Sequence, residues 1–120
     1  MASRGNWTVI FEDKVIIKQV GDGAGAYTIN DNTFWNNSDY SNFWAVQYQT
    51  SNTDDEVEFK DTTPNDTWAS TGLDFQAFID KWDAAHLAYL QDEWDNDNVD
   101  GETSEEKITR LGAKPTSYSS

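Results

Sequence analysis

Residues 74–94 read DFQAFIDKWDAAHLAYLQDEW. At about 100° per residue, Phe75, Phe78, Ile79, Trp82, Ala85, Tyr89 and Leu90 fall within one stripe of roughly 140°, and Asp80, Ala84, Ala88 and Gln91 fall opposite. This spacing predicts an amphipathic helix. Such a helix must lay its stripe on another apolar layer, so the rest of the chain has to supply one.

The first 61 residues can supply it as strands. WTVIFEDKVIIKQ (Trp7–Gln19) reads as a hairpin turning at Glu12-Asp13, with Trp7, Val9 and Phe11 on one face. Val15 and Ile17 are expected to join them across the turn, leaving Ile16 outside. GDGAG (residues 21–25) reads as a flexible connection and AYTI (residues 26–29) as a short strand. NDNTFWNNSDYSN (residues 30–42) has the Asn and Asp of a loop. FWAVQYQ (residues 43–49) is a strand, expected to turn Trp44, Val46 and Tyr48 inward and Phe43 and Ala45 outward. SNTDD (residues 51–55) is a turn, and EVEFKD (residues 56–61) alternates as a half-buried strand does. After a connection over residues 62–72 comes the helix, then an acidic loop. TSEEKITRLG (residues 103–112) follows as a short helix, with capping-box spacing between Thr103 and Glu106 and with Gly112 to close it. The expected fold is α+β: an antiparallel sheet of about five strands covered on one face by one long amphipathic helix, plus a short C-terminal helix. Residues 1–112 form the single domain and 113–120 a flexible tail.

The chain of 120 residues has a formal net charge of −14, and 14% of it is aromatic, with six Trp. Aromatic area makes a core attainable despite modest hydrophobicity. The acidity argues against direct nucleic-acid binding, which needs clustered Lys and Arg. No run of apolar residues is long enough for a membrane span, and the N-terminus does not read as a secretory signal. Without cysteine there is no disulfide, thiolate site or Cys nucleophile. Residues 74–106 hold 11 of the 22 acids and one base, Lys81. That stretch is either a solvated face or a surface for a basic partner, including a decoy that imitates DNA.

Four stretches raise questions of chemistry. DNDNVDGETSEE (residues 95–106) approaches a calcium loop. With Gly101 at the sixth position, Asn96, Asn98 and Asp100 fall at the first, third and fifth, but the twelfth is Lys107 where a bidentate carboxylate is required. The expectation is no metal site. His86 is the only histidine and lies on the apolar stripe, where a structural role is expected, since no nucleophile or partner His has matching spacing. GDGAG lacks phosphate-loop spacing. FWNNSDYSNFW (residues 34–44) interleaves aromatics with amides, as a protein interface or a glycan-binding surface does; Phe34, Trp35 and Tyr40 are its candidate contacts. No cofactor and no catalytic constellation is expected.

NWTVIFEDKVIIKQ, FQAFIDKWDAAHLAYLQ and the Cys-free, Asp/Asn-rich, Lys-poor composition resemble the small uncharacterised proteins encoded by marine T4-like bacteriophages, cyanophages included. The resemblance implies a setting in the host-cell cytoplasm during infection or in the virion. It carries over no functional residue. The function expected is that of a small acidic, non-enzymatic interaction protein. Its contacts would be with a protein partner of unknown identity and with copies of itself, through an outer sheet face around Ile10, Ile16 and Phe43. The alternatives are a glycan-binding module and an acidic DNA mimic.

Overall fold

The computed structural model describes residues 6–20, 23–49 and 55–119. Its strands are β1 (Asn6–Ile10), β2 (Val15–Val20), β3 (Gly23–Thr28), β4 (Phe43–Gln49) and β5 (Glu56–Phe59). Its helices are α1 (Asn32–Trp35), α2 (Gln76–Asn96) and α3 (Ser104–Leu111). The strands form one antiparallel sheet in the order β3-β2-β1-β4-β5. The α+β architecture expected from periodicity is the one present. Of the expected SNTDD turn (residues 51–55) only Asp55 is described; residues 51–54 lie outside the described residues.

Register decides which side chains meet α2. One row across the sheet is Val57, Val46, Val9, Ile16 and Tyr27; the next is Tyr48, Trp7, Lys18 and Gly25. Both face α2. The first row is apolar throughout, and its four aliphatic members are fully buried. This corrects the expectation for β2: Ile16 faces in, and Val15 and Ile17 face out. The reason is parity. Directly opposed residues share a face, and the four residues Phe11–Lys14 between β1 and β2 form a turn of even length. An even turn pairs odd-numbered residues with even-numbered ones, so Val9 meets Ile16 and Trp7 meets Lys18. Lys14, at φ 57°, takes the left-handed conformation that closes this turn.

A second correction concerns the start of β4. The pairing with β5 shifts between Phe43 and Ala45, so Trp44 is the extra residue of a bulge. The bulge turns Phe43 inward, to 6% exposure, and leaves Trp44 44% exposed. A third concerns the glycines. Gly23–Gly25, expected in a flexible connection, belong to β3. Gly25 serves packing: the Trp82 indole lies against its Cα face and donates its Nε1–H to the Gly25 carbonyl at 3.0 Å.

The core is a mesh of aromatic rings. Phe78 of α2 is fully buried among Phe11, Phe34, Tyr40 and Trp68. Phe75 stacks on Tyr48 at 4.1 Å, and Trp7 meets Trp82 edge to face at 5.7 Å. Lys18 is buried in this mesh, its ammonium 4.8 Å from the Trp82 ring and 5.5 Å from the Trp7 ring. Its apolar stem and the π faces make the position tolerable for a cation.

α2 overhangs its support. At 1.5 Å per residue its 21 residues span about 31 Å, whereas five strands side by side span about 24 Å. Its buried residues are therefore Phe78, Ile79 and Trp82, all in the first half, and Tyr89 is 48% exposed. The second half of α2, α3 and the segment after Gly112 form an arm beyond the sheet. That last segment lies along α2: Trp94 Nε1–H donates to the Gly112 carbonyl, Gln91 Nε2–H to the Pro115 carbonyl, and Tyr118 packs on His86 and Trp82.

Candidate functional site: an uncovered sheet face

The outer face is built from two cross-strand rows. One is Ala26, Ile17, Thr8, Gln47 and Glu56; the other is Thr28, Val15, Ile10, Ala45 and Glu58. Trp44 stands beside Ala45 at the bulge. α2, α1 and Tyr118 all pack on the opposite side, through Phe78, Trp35 and Trp82. Val15, Ile17 and Ile10 are each only half-buried. From β1 to β4 this face carries no charge, in a chain where 25% of residues are charged. Glu56 and Glu58 bound it at the β5 edge. Thr8 and Gln47 satisfy each other across the strands, the hydroxyl donating to Oε1 at 2.8 Å.

Of the three residues expected to form an interaction surface here, Ile10 alone is on this face. Ile16 and Phe43 belong to the core for the reasons of parity and bulge given above. Trp44, Val15 and Ile17 take their places. The C-terminal segment does not cover this face either: Tyr118 packs on the inner side, against His86 and Trp82.

The aromatic stretch is committed to the fold. Trp35 and Tyr40 are 9% and 8% exposed, and Trp35 Nε1–H donates to the Ile29 carbonyl at 2.8 Å. Phe34 is half-buried against Phe78. Asp31 caps α1, accepting from the Phe34 amide, and pairs with Lys81 of α2 at 2.6 Å, which holds its carboxyl below the usual carboxylate range. A cleft of about 420 Å³ remains between Trp35, Asn36, Asn37 and Lys60, but the ring faces a sugar would stack on are turned into the core.

The acidic loop carries its own cation. Lys107, at the twelfth loop position, is buried, and its ammonium donates to Asn98 Oδ1 at 2.7 Å and lies 4.1 Å from the Trp94 ring. It stands where a bidentate carboxylate would otherwise hold calcium. Arg110 binds Glu102 and Asp97 together, each at 2.8 Å, and Lys114 pairs with Asp95 at 3.0 Å. The expected capping box is present, with reciprocal bonds between Thr103 and Glu106, and Gly112 ends α3 at φ 81°. Among the described residues no group of three or more His, Cys, Asp or Glu could hold a metal ion.

His86 packs its ring on Trp82, stacked at 4.7 Å, and its Nδ1 shares a hydrogen bond with the Tyr27 hydroxyl at 2.7 Å. Burial, and then the nearby Lys18 ammonium, hold its pKa below the ordinary histidine value. Its hydrogen-bonding and stacking capacity serve the joint between α2, β3 and Tyr118. Among the described residues no helix is long and apolar enough to cross a membrane. No family model matches the chain, and no curated protein or solved structure is significantly similar to it.

Proposed function

We propose that this chain is a non-enzymatic interaction protein that works as a homodimer, two copies meeting through their outer sheet faces. One observation carries the reading: the uncharged, half-apolar surface of Ile10, Val15, Ile17 and Trp44, left uncovered by the chain's own helices. An apolar face of this kind is an interaction site more often than an accident. The occupant follows from charge. Two copies at −14 each repel over most of their surfaces, and this face is where they approach without opposed carboxylates. A two-fold axis would set Glu56 and Glu58 of the two copies at opposite rims. The setting in this proposal is the infected-cell cytoplasm or the virion, as the resemblance to phage proteins implies.

The size of the face sets the strength. Four strands at about 4.8 Å and roughly five residues at about 3.4 Å give a projected patch of roughly 19 by 17 Å. That is below the ~800 Å² per partner of a standard interface, so the dimer is expected in the micromolar range. Sedimentation velocity from about 5 to 500 μM tests it, a range that brackets such a Kd. The wild type should pass from monomer to dimer, and Ile17→Lys should stay monomeric with an unchanged melting temperature. A wild type that is monomeric throughout defeats the proposal, as does an Ile17→Lys variant that still dimerises.

A further inference from the structure

The arm holds a second surface of different chemistry. Between the outer half of α2 and the returning C-terminal segment runs an open groove of about 790 Å³. Its apolar lining comes from Tyr89, Leu90, Trp94, Leu111 and Pro115. Its polar lining comes from Asp92, Glu93, Asn96 and Asp97, so no basic residue lines it. Tyr89 is the most exposed ring of α2, and Val99 and Ile108 of the same arm are also about half exposed, at 52% and 47%.

The cations of the arm are already placed. Lys107 is buried in the loop, Arg110 is divided between Asp97 and Glu102, and Lys114 is on Asp95. Asp97 is thereby paired, while Asp92 and Glu93 stand on the groove's rim. Tyr89 and Glu93 line the groove together, so one acid stands beside the apolar lining.

We infer that this groove docks a basic amphipathic peptide segment of another protein, its apolar side chains on Tyr89, Leu90 and Trp94 and its Lys or Arg side chains against Asp92 and Glu93. The charge excludes a second copy as occupant. Residues 83–119 hold nine acids against three Lys or Arg, so two arms repel. The geometry also separates this from imitation of DNA. A DNA mimic presents carboxylates outward along a convex face, whereas here they rim an apolar concavity. An amphipathic helix in an apolar groove is a recurrent mode of peptide recognition.

The inference is independent of dimer formation, and its test keeps the two apart. The probe is a fluorescein-labelled twelve-residue peptide of Leu and Lys in helical alternation, titrated by fluorescence anisotropy into wild type and into Ile17→Lys. Its controls are an oligolysine of equal charge and a Leu/Lys peptide of the same composition in non-amphipathic order. Two variants of equal charge change complete the set: Asp92→Asn/Glu93→Gln in the groove, and Glu12→Gln/Asp13→Asn at the β1–β2 turn of the sheet. Tyr89→Ser removes an exposed ring, and circular dichroism confirms that it folds. The expected result is tighter binding of the amphipathic peptide than of either control. Affinity should fall about tenfold in Tyr89→Ser and in the groove double variant, and little in the sheet double variant. In ¹⁵N-labelled protein the shifted amides should cluster at residues 89–97 and 111–115. Equal binding of oligolysine, equal loss in both double variants, or amide shifts elsewhere would each overturn the inference.

Discussion

Gly25→Ala is the sharpest probe of how β3 and α2 fit together. An added Cβ at Gly25 would sit 2.8 Å from Trp82 Cζ2, with Cε2 and Nε1 at 3.6 and 3.7 Å. To restore a tolerable 3.4 Å the ring must withdraw by about 0.6 Å, and it has nowhere to go. Trp7 meets its edge at 5.7 Å, His86 stacks on it at 4.7 Å, and the Lys18 ammonium stands 4.8 Å from its centre. Withdrawal also stretches the 3.0 Å bond from Trp82 Nε1–H to the Gly25 carbonyl. Overpacking of this kind costs about 1–3 kcal/mol, and a weakened hydrogen bond adds up to about 1. Against this, alanine restricts the unfolded chain and returns about 0.4–1 kcal/mol. The net expectation is a loss of about 2 kcal/mol. With a urea m-value of roughly 1.5 kcal/mol/M, the unfolding midpoint should fall by about 1.3 M. Equilibrium urea unfolding followed by tryptophan fluorescence measures it. The Trp82→Phe background supplies the control, since phenylalanine lacks Cζ2 of the indole and its N–H. There Gly25→Ala should cost at least about 1 kcal/mol less. If Gly25→Ala is neutral or stabilising, or costs the same in both backgrounds, the account of this contact is wrong.

Other perturbations address the remaining elements. Calorimetric titration of the wild type with Ca²⁺ should show nothing tighter than about the millimolar range, and Lys107→Ala should lower stability by about 1–3 kcal/mol by removing the loop's internal cation. Because burial lowers the folded pKa of His86, the unfolded chain binds the proton more readily, so stability is complete above about pH 6.5 and is lost as pH falls below that value. Thermal melts from pH 7.5 to 5 should therefore show a decline in the wild type that is smaller in His86→Gln; equal declines would remove His86 as the cause. Phe43→Ala should cost about 3–5 kcal/mol as a core truncation, whereas Trp44→Ala should cost under about 1 and act instead on self-association. Reversal of that pair would restore the face assignment that simple alternation predicts.

The elements that carry a period were legible in the sequence. Val57 and Phe59 alternate with Glu56 and Glu58, the α2 stripe repeats, and Thr103, Glu106 and Gly112 bracket α3 with their own chemistry. Faces were legible only where alternation was unambiguous. Val15, Ile16 and Ile17 are apolar in succession, so hydrophobicity says nothing about which of them turns inward. The parity of the turn decides it, at the counterintuitive expense of burying Lys18. The bulge at Trp44 is a property of the pairing with β5, not of the residues themselves. Gly25 reads as part of a flexible connection because the reason for its smallness, the Trp82 ring, lies 57 residues away. That the twelfth loop position lacks a carboxylate is readable from Lys107 alone, but its role as the loop's internal cation is not, since it needs Asn98 and Trp94 brought around it. The groove has no signal in the sequence, because periodicity places Tyr89 and Leu90 on the apolar stripe of α2 but does not say where the sheet ends.

Because α2 overhangs the sheet, one unbroken helix belongs to two packing environments. Its first turns are clamped between aromatic rings; its last turns are held by two side-chain bonds to the segment after Gly112 and by Lys107 and Lys114 on Trp94 and Asp95. Backbone amides around Phe78 to Trp82 should exchange with solvent only when the whole domain opens, while those beyond His86 can exchange through fraying that leaves the sheet intact. The helix is thus a graded structure, rigid at one end and yielding at the other. A ligand seated on the arm would slow exchange at the yielding end first, and would extend the cooperative unit outward along a helix that already exists.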